Sequence, residues 1–239
     1  MTTPIVRTLY HSNIDDRIIE HQKSVFDYLD IPLEQCLSNE TSHGEWLDKA
    51  IHATDTDLLI FCDIDAFPVS RVAFDKMIAA ARSGAIVGLA HVANHLDPSH
   101  LYAGPIFLAF RRDIFESLGS PSLQDSRVHD VAQILTVRAE EAQLPLQLIM
   151  PNLVLAPRWA LADKGILGIG TFYGSNGFFH LFQSRYTQNI ELFVAVAQDV
   201  VANRIDYDKY LGILNQKDKV RSKHKYKRIL KALRDLPNS

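Results

Sequence analysis

Leu58-Leu59-Ile60-Phe61-Cys62-Asp63-Ile64-Asp65-Ala66-Phe67-Pro68 is the stretch on which the reading of the chain turns. Five apolar residues, of a length and composition that suit a buried strand better than a short helix, run directly into two carboxylates one residue apart. A proline three residues further on stops any continuation. On an extended backbone, side chains at i and i+2 point the same way. Asp63 and Asp65 therefore offer a hard, oxygen-rich site for Mg2+ or Mn2+, the ions that accompany phosphate groups. The expectation is a central strand that delivers two aspartates to the edge of a sheet for metal-dependent phosphate chemistry.

Two β-α units precede this strand. Ile5 to Leu9 reads as a strand ending in the polar cluster Tyr10-His11-Ser12-Asn13. Asp15 and Asp16 stand where a helix N-terminus favours acids, and Ile18, Ile19, Val25, Phe26 and Leu29 give the helical stripe behind them. Ile31 to Gln35 reads as a short second strand. The polar loop Ser38 to Gly44, containing His43, leads to a helix over Glu45 to His52 with Trp46, Leu47 and Ala50 on one face.

Downstream, Ser70 is a candidate N-cap for a helix through Arg82, with Val72, Met77, Ile78 and Ala81 inward and Gly84 as the stop. Ile86 to Ala90 is strand-like, and His91 to His100 reads as a polar loop holding His91, His95 and His100. Gly104 to Arg112 is a strand feeding a short helix over Asp113 to Leu118. Spacings of three and four predict a longer helix from Ser126 to Gln143, and Gln147 to Leu155 is extended around Pro151. The glycine-rich segment Gly165 to Gly177 suggests a flexible loop near a ligand, followed by the apolar run Phe178 to Phe182 around His180. Helices are expected over Ile190 to Arg204 and Tyr207 to Leu214. This alternation indicates an α/β sandwich with a mixed, mostly parallel sheet.

With 239 residues and 47% hydrophobic content the chain can bury a full core. No basic start with an apolar h-region opens it, and no apolar run approaches the roughly 20 residues of a transmembrane helix, so a soluble cytoplasmic protein is expected. Cys36 and Cys62 form no metal-spaced pair. The net charge is −3, yet Lys217 to Arg234 holds nine Lys/Arg and one Asp, about +8, which leaves about −11 elsewhere. Val220, Ile229, Leu230, Leu233 and Leu236 would let this tail pack on the domain or lie as an amphipathic helix on an anionic membrane surface at the inner face. A nucleic-acid role is not expected, because Tyr226 is the tail's one aromatic residue and the rest of the chain is acidic.

Taken together, the strand-borne Asp63-Ile64-Asp65, Gly104-Pro105 leading to Phe110-Arg111-Arg112, and an acidic residue opening the next long helix resemble GT-A fold glycosyltransferases, in particular bacterial family 2-like enzymes, over residues 4 to 183. The resemblance implies a Rossmann-like three-layer sandwich over residues 1–186, with C-terminal helices and the basic tail over 187–239. It implies transfer of a sugar from a nucleotide-diphosphate sugar, with UDP the expected nucleotide, to a glycan or lipid-linked glycan hydroxyl, with inversion. Asp65 would be the main Mn2+ or Mg2+ ligand, with Asp63 on the metal or nucleotide and His180 a further ligand. Tyr10, His11, His43 and Ile64 would line the nucleotide, Gly104, Arg111 and His91 the sugar or acceptor. Asp130 would be the general base, with Asp125 its rival because Val128-His129-Asp130 stands where the family has a Glu-Asp pair.

Plainer readings stand beside these. A solvated turn accounts for two acids after a strand, a dipole-complementing acid for Asp130 and a hydrogen-bonded core histidine for His180. A haloacid dehalogenase-like phosphatase also carries Asp-x-Asp after an apolar strand, but on its first strand and with a different sequel from Ala66-Phe67-Pro68. A GT-A-like nucleotidyltransferase and a non-catalytic sugar- or nucleotide-binding module complete the alternatives.

Overall fold

In the computed structural model, which describes residues 4–215, the chain builds β1 (Val6–Tyr10), α1 (Asp16–Tyr28), β2 (Leu33–Leu37), α2 (His43–His52), β3 (Leu58–Cys62), β4 (Ala66–Pro68), α3 (Arg71–Arg82), β5 (Ile86–Ala93), β6 (Asp97–Arg111) and α4 (Arg112–Ser117). These are followed by α5 (Gln133–Glu141), β7 (Leu146–Ile149), β8 (Pro151–Leu161), β9 (Gly165–Tyr173), β10 (Phe178–Leu181) and α6 (Thr187–Val201). A further helical stretch covers residues 207–215. The basic tail over 217–234 and its apolar residues lie outside the described residues.

Six strands form the main sheet in the order β2-β1-β3-β6-β5-β7. β6 runs antiparallel to both its neighbours and the other five strands share one direction, so the sheet is mixed and mostly parallel, as expected. β3 lies inside it, every residue buried, between β1 and β6. The period of two along β3 sorts its side chains onto two cores. Leu58, Ile60 and Cys62 join Ile18, Val25 and Phe26 of α1 and Phe74, Met77 and Ile78 of α3. Leu59 and Phe61 join Trp46, Leu47 and Ile51 of α2, Phe115 of α4, and Leu135 and Ala139 of α5. A strand buried on both faces must be apolar throughout, which is why the run has no alternation.

Phe107, the β6 residue opposite Cys62, stacks on Phe26 at 6.4 Å and meets Phe74 and Phe178 edge-on at 6.2 and 5.1 Å. Truncating such a side chain costs about 3–5 kcal/mol, so the height at which β3 ends is firmly set. A second, antiparallel sheet, β4-β10-β9-β8, packs with α6 into the first of the two cores. α6 approaches β9 so closely that a Cβ on Gly170 would come within 2.8 Å of Leu192 Cδ2. Arg17 of α1 adds an ion pair to Glu191 of α6 at 2.6 Å. Among the described residues no helix is long and apolar enough to cross a membrane.

Four local expectations change. His91 to His100 is a β-hairpin, with His91 on β5 and His100 on β6. Gly165 to Gly177 is strand β9 and a tight turn, because its glycines allow close packing rather than mobility. Val72 faces outward at 61% exposure. The helix predicted from Ser126 begins at Gln133. Ser126 Oγ accepts from the amides of Val128 and His129, Asp48 accepts from Ser122, Leu123 and Gln124, and Ala132 adopts φ 61°, so local side-chain bonds outcompete the helix before that point.

Candidate functional site

β3 stops at Cys62, and Asp63 to Asp65 form a turn closed by the Ala66 amide donating to the Asp63 carbonyl at 3.1 Å, where an extended backbone was expected. Gln22, a polar residue within the buried stripe of α1, holds this turn from below. Its Nε2 donates to the carbonyls of Asp63 and Ala66 at 2.8 and 2.9 Å, while its Oε1 accepts from Gln35 at 3.0 Å. A buried amide so completely partnered costs little and orders the backbone it binds. Burial and the adjacent Asp63 and Asp65 push the Cys62 thiol well up, so it stays a neutral core group.

The turn sends the chain out of the main sheet into β4, which pairs with β10 in the register Ala66 to His180, and the Leu181 amide donates to the Asp65 carbonyl at 2.9 Å. That pairing is what brings His180 to the acids. One ligand atom from each of Asp63, Asp65 and His180 lies within 4.8 Å of the others, and His180 Nε2 is 3.4 Å from Asp65 Oδ1. His180 is 5% exposed, and its Nδ1 is buried without a hydrogen-bond partner. Neither carboxylate accepts a hydrogen bond from the described residues; histidine rings are their near neighbours, with His43 Nε2 3.5 Å from Asp63 Oδ1. Burial raises the Asp63 pKa, Asp65 raises it further, and His43 and His180 oppose the shift. Two carboxylates with free lone pairs and one imidazole make a donor set that fits Mn2+ or Mg2+.

This cluster opens into a cleft of about 410 Å³. Five residues assigned to the nucleotide from sequence line it together: Tyr10, His11, His43, Asp63 and Ile64. His43 opens α2, whose first turn is capped by Ser42 Oγ, and His11 Nδ1 is anchored to the Ser38 carbonyl. The far wall, Gln183 to Tyr186, was missed, although Arg185 is the one Lys or Arg among the lining residues. Its only sequence signal is its position directly after the His180 strand.

Asp130 stands on the other side of the aromatic residues around His180. His91 contacts Phe182 at 6.0 Å and Tyr102 at 5.5 Å, and Phe182 contacts His180 at 4.1 Å. The Tyr102 hydroxyl donates to Asp130 Oδ2 at 3.0 Å. Burial and the proximity of His180 push the His91 pKa down to about 4, with Asp130 opposing, so the ring is neutral at physiological pH. Asp125, the rival base, is exposed on the preceding loop.

Two residues expected at the sugar lie in different places. Arg111 pairs with Leu58 at the opposite end of β3 and forms an ion pair with Asp113, far from the acids, because β6 runs antiparallel and carries its C-terminus away from them. Gly104 is buried, in register with Leu89 and diagonal to His91, and a Cβ on it would lie 2.8 Å from that of His91, so it makes room for the histidine.

No family model and no curated protein matches this chain. Solved structures of similar shape include a mannosyltransferase from Pyrobaculum calidifontis in complex with GDP-Man and Mn2+, at 11% identity and a TM-score of 0.45, over 60% of this chain and 53% of that one. The match thus spans about half the length of that enzyme. Another is 4-diphosphocytidyl-2C-methyl-D-erythritol synthase from Anaerococcus prevotii, at 11% identity and a TM-score of 0.47, over 82% of this chain and 100% of that one. A CMP:2-keto-3-deoxy-manno-octonic acid synthetase complexed with CTP aligns at 10% identity and a TM-score of 0.38, over 62% and 90%. These likenesses are distant, and what those proteins bind belongs to them.

Proposed function

We propose that the protein is a metal-dependent glycosyltransferase that uses a nucleotide-diphosphate sugar, with UDP the expected nucleotide and a glycan or lipid-linked glycan hydroxyl as acceptor. The observation that carries this reading is the convergence of Asp63, Asp65 and His180, free of other hydrogen-bond partners on their carboxylates, at the mouth of a cleft lined by Tyr10, His11 and His43. Asp65, His180 and Asp63 would hold Mn2+ or Mg2+, and such an ion, when bound, neutralises charge on a leaving diphosphate. Arg185, on the same cleft, supplies a second cationic group for that diphosphate. His43, beside Asp63, sits where a ribose or phosphate would be contacted.

In this reading the acceptor hydroxyl attacks the anomeric carbon, the bond from that carbon to the diphosphate oxygen breaks, and the acceptor's proton passes to Asp130. Displacement in one step inverts the anomeric centre. His91, neutral and between Asp130 and the metal cluster, contacts the sugar or acceptor. The N-terminal 186 residues form the catalytic unit. Peripheral membrane attachment through 217–234 is part of the same proposal, and its check is whether deletion after Asn215 weakens liposome binding.

The central test is a thermal-shift panel of UDP, GDP and CTP with and without Mn2+. Stabilisation by a nucleoside diphosphate that requires the metal is expected; if UDP and GDP both fail with Mn2+ present, the transferase reading falls. Stabilisation by CTP alone would favour nucleotidyl transfer instead.

A further inference from the structure

Asp130 does not sit in a helix that could orient it. It precedes α5, and the next residue but one, Ala132, is left-handed at φ 61°. What holds the residue is two separate sets of bonds. Its backbone is fixed by Gln133, whose Oε1 accepts from the Asp130 amide at 2.8 Å and whose amide donates to the Asp130 carbonyl at 3.0 Å. Its carboxylate receives one bond from a neighbouring amide, Val131 N to Oδ1 at 2.9 Å, and one from a side chain, the Tyr102 hydroxyl to Oδ2 at 3.0 Å.

Tyr102 is well suited to be a fixed donor. It lies in the middle of β6, in register with His91 on β5, and is 1% exposed. Burial and the neighbouring Asp130 push its pKa far above the ordinary tyrosine value, so the hydroxyl keeps its proton at every working pH. A buried tyrosine hydroxyl seeks a partner, and here the partner is a carboxylate. The backbone amide of Ala103, next along the strand, donates to Thr136 Oγ1 of α5 at 3.0 Å and ties β6 to α5 beside the pair.

We infer that Tyr102 is a positioning residue for Asp130: its hydroxyl, bonded to Oδ2, aims the carboxylate at the acceptor's proton. The inference rests on the reading of Asp130 as the base. It adds a residue that no motif in the sequence marks. The titratable groups facing Asp130 are Tyr102 on β6 and His91 on β5, with His100 on β6 and Glu140 on α5 reaching it through Gln133, whose Nε2 meets His100 Nδ1 at 2.9 Å. Tyr102 alone among these bonds the carboxylate directly.

The test uses the full chain with Mn2+ and follows hydrolysis of, and transfer from, UDP-glucose and GDP-mannose. Tyr102→Phe keeps the ring and removes the donor. Turnover is expected to fall about tenfold at neutral pH, the acid limb of the rate profile should move to higher pH, and calorimetric affinity for UDP or GDP with Mn2+ should be unchanged. Replacing Tyr102 with 3-fluorotyrosine, which preserves packing and strengthens the donor, should move the acid limb the other way, and it keeps the question open to test should the phenylalanine variant fold poorly. Asp130→Asn separates the two levels of the argument. If it is inactive while both Tyr102 variants keep the wild-type turnover and pH profile, Tyr102 only packs and the inference is overturned. If Asp130→Asn turns over normally, the base reading itself fails and this inference goes with it.

Discussion

Both ends of β3 carry charged residues, and they do different things with them. At the C-terminal end, Asp63 and Asp65 face His43 and His180, with carboxylates that accept no hydrogen bond from the described residues. At the N-terminal end, about 13 Å away by the rise of a strand, a groove of about 590 Å³ is lined by Arg82, Arg111, Arg112, Asp57, Asp113 and Glu116. There Arg111 and Arg112 are answered from within the chain. Arg111 pairs with Asp113, and Arg112 donates to the carbonyls of Ile51 at 2.9 Å, Thr56 at 3.3 Å and Thr54. In the larger of these two cavities Arg111, Arg112 and Asp113 are thus already partnered. What distinguishes a site is charge left without a partner, and that costs stability unless a ligand supplies the missing half.

Removing a metal ligand should have the largest effect. Asp65→Ala is expected to cut transfer by about a thousandfold, corresponding to about 4 kcal/mol of lost charge stabilisation, and to abolish any Mn2+-dependent rise in melting temperature. Retained metal-dependent stabilisation would erase the contrast between the two ends.

Next comes the pH response of the site end in the metal-free protein. His91 titrates at about 4 when folded and near 6.5 when unfolded, so between those values the unfolded chain binds more protons. Stability is full above about 6.5 and declines as the pH falls toward 4, by at most about 3 kcal/mol from this residue. Urea unfolding at pH 7 and pH 4.5 measures the loss, and His91→Phe should flatten it; an unchanged slope in that variant would remove His91 as the source.

At the opposite end the effects should be on stability alone. Arg112→Ala leaves three carbonyls without their donor and is expected to cost about 2 kcal/mol in chemical denaturation, with nucleotide affinity unchanged. Smallest of all is Arg111→Ala, which breaks an exposed, solvent-screened ion pair and should leave the denaturation midpoint nearly unchanged and turnover within about twofold. A large loss of activity there would return Arg111 to the acceptor site.

Much of this architecture is legible in the residues. Leu58 to Cys62 reads as a buried strand because a strand covered on both faces must be apolar at every position. Ser70 and Gly84 bracket α3 because caps are local chemistry. No helix forms over 126–132, because Ser126 and Asp48 draw the backbone into turns that residue spacing does not register. The glycines of β9 read as a loop because their reason, the approach of α6 and of β8, lies elsewhere in the chain. The sequence neighbours of Arg111 resemble a motif that points to the sugar, whereas the antiparallel run of β6 carries it to the other end of β3.

By itself, the sequence determined the α/β alternation, the central strand and the two aspartates at its end. Each of these follows from local pattern: a period of two, a cap, or a carboxylate beside an apolar run. Only the tertiary structure decided which partners those aspartates have. The β4–β10 pairing delivers His180, the Ser42-capped start of α2 delivers His43, and the register of β5 with β6 sets Tyr102 and His91 between the acids and Asp130. Such contacts join residues far apart along the chain, and they exist only once the strands have chosen their neighbours.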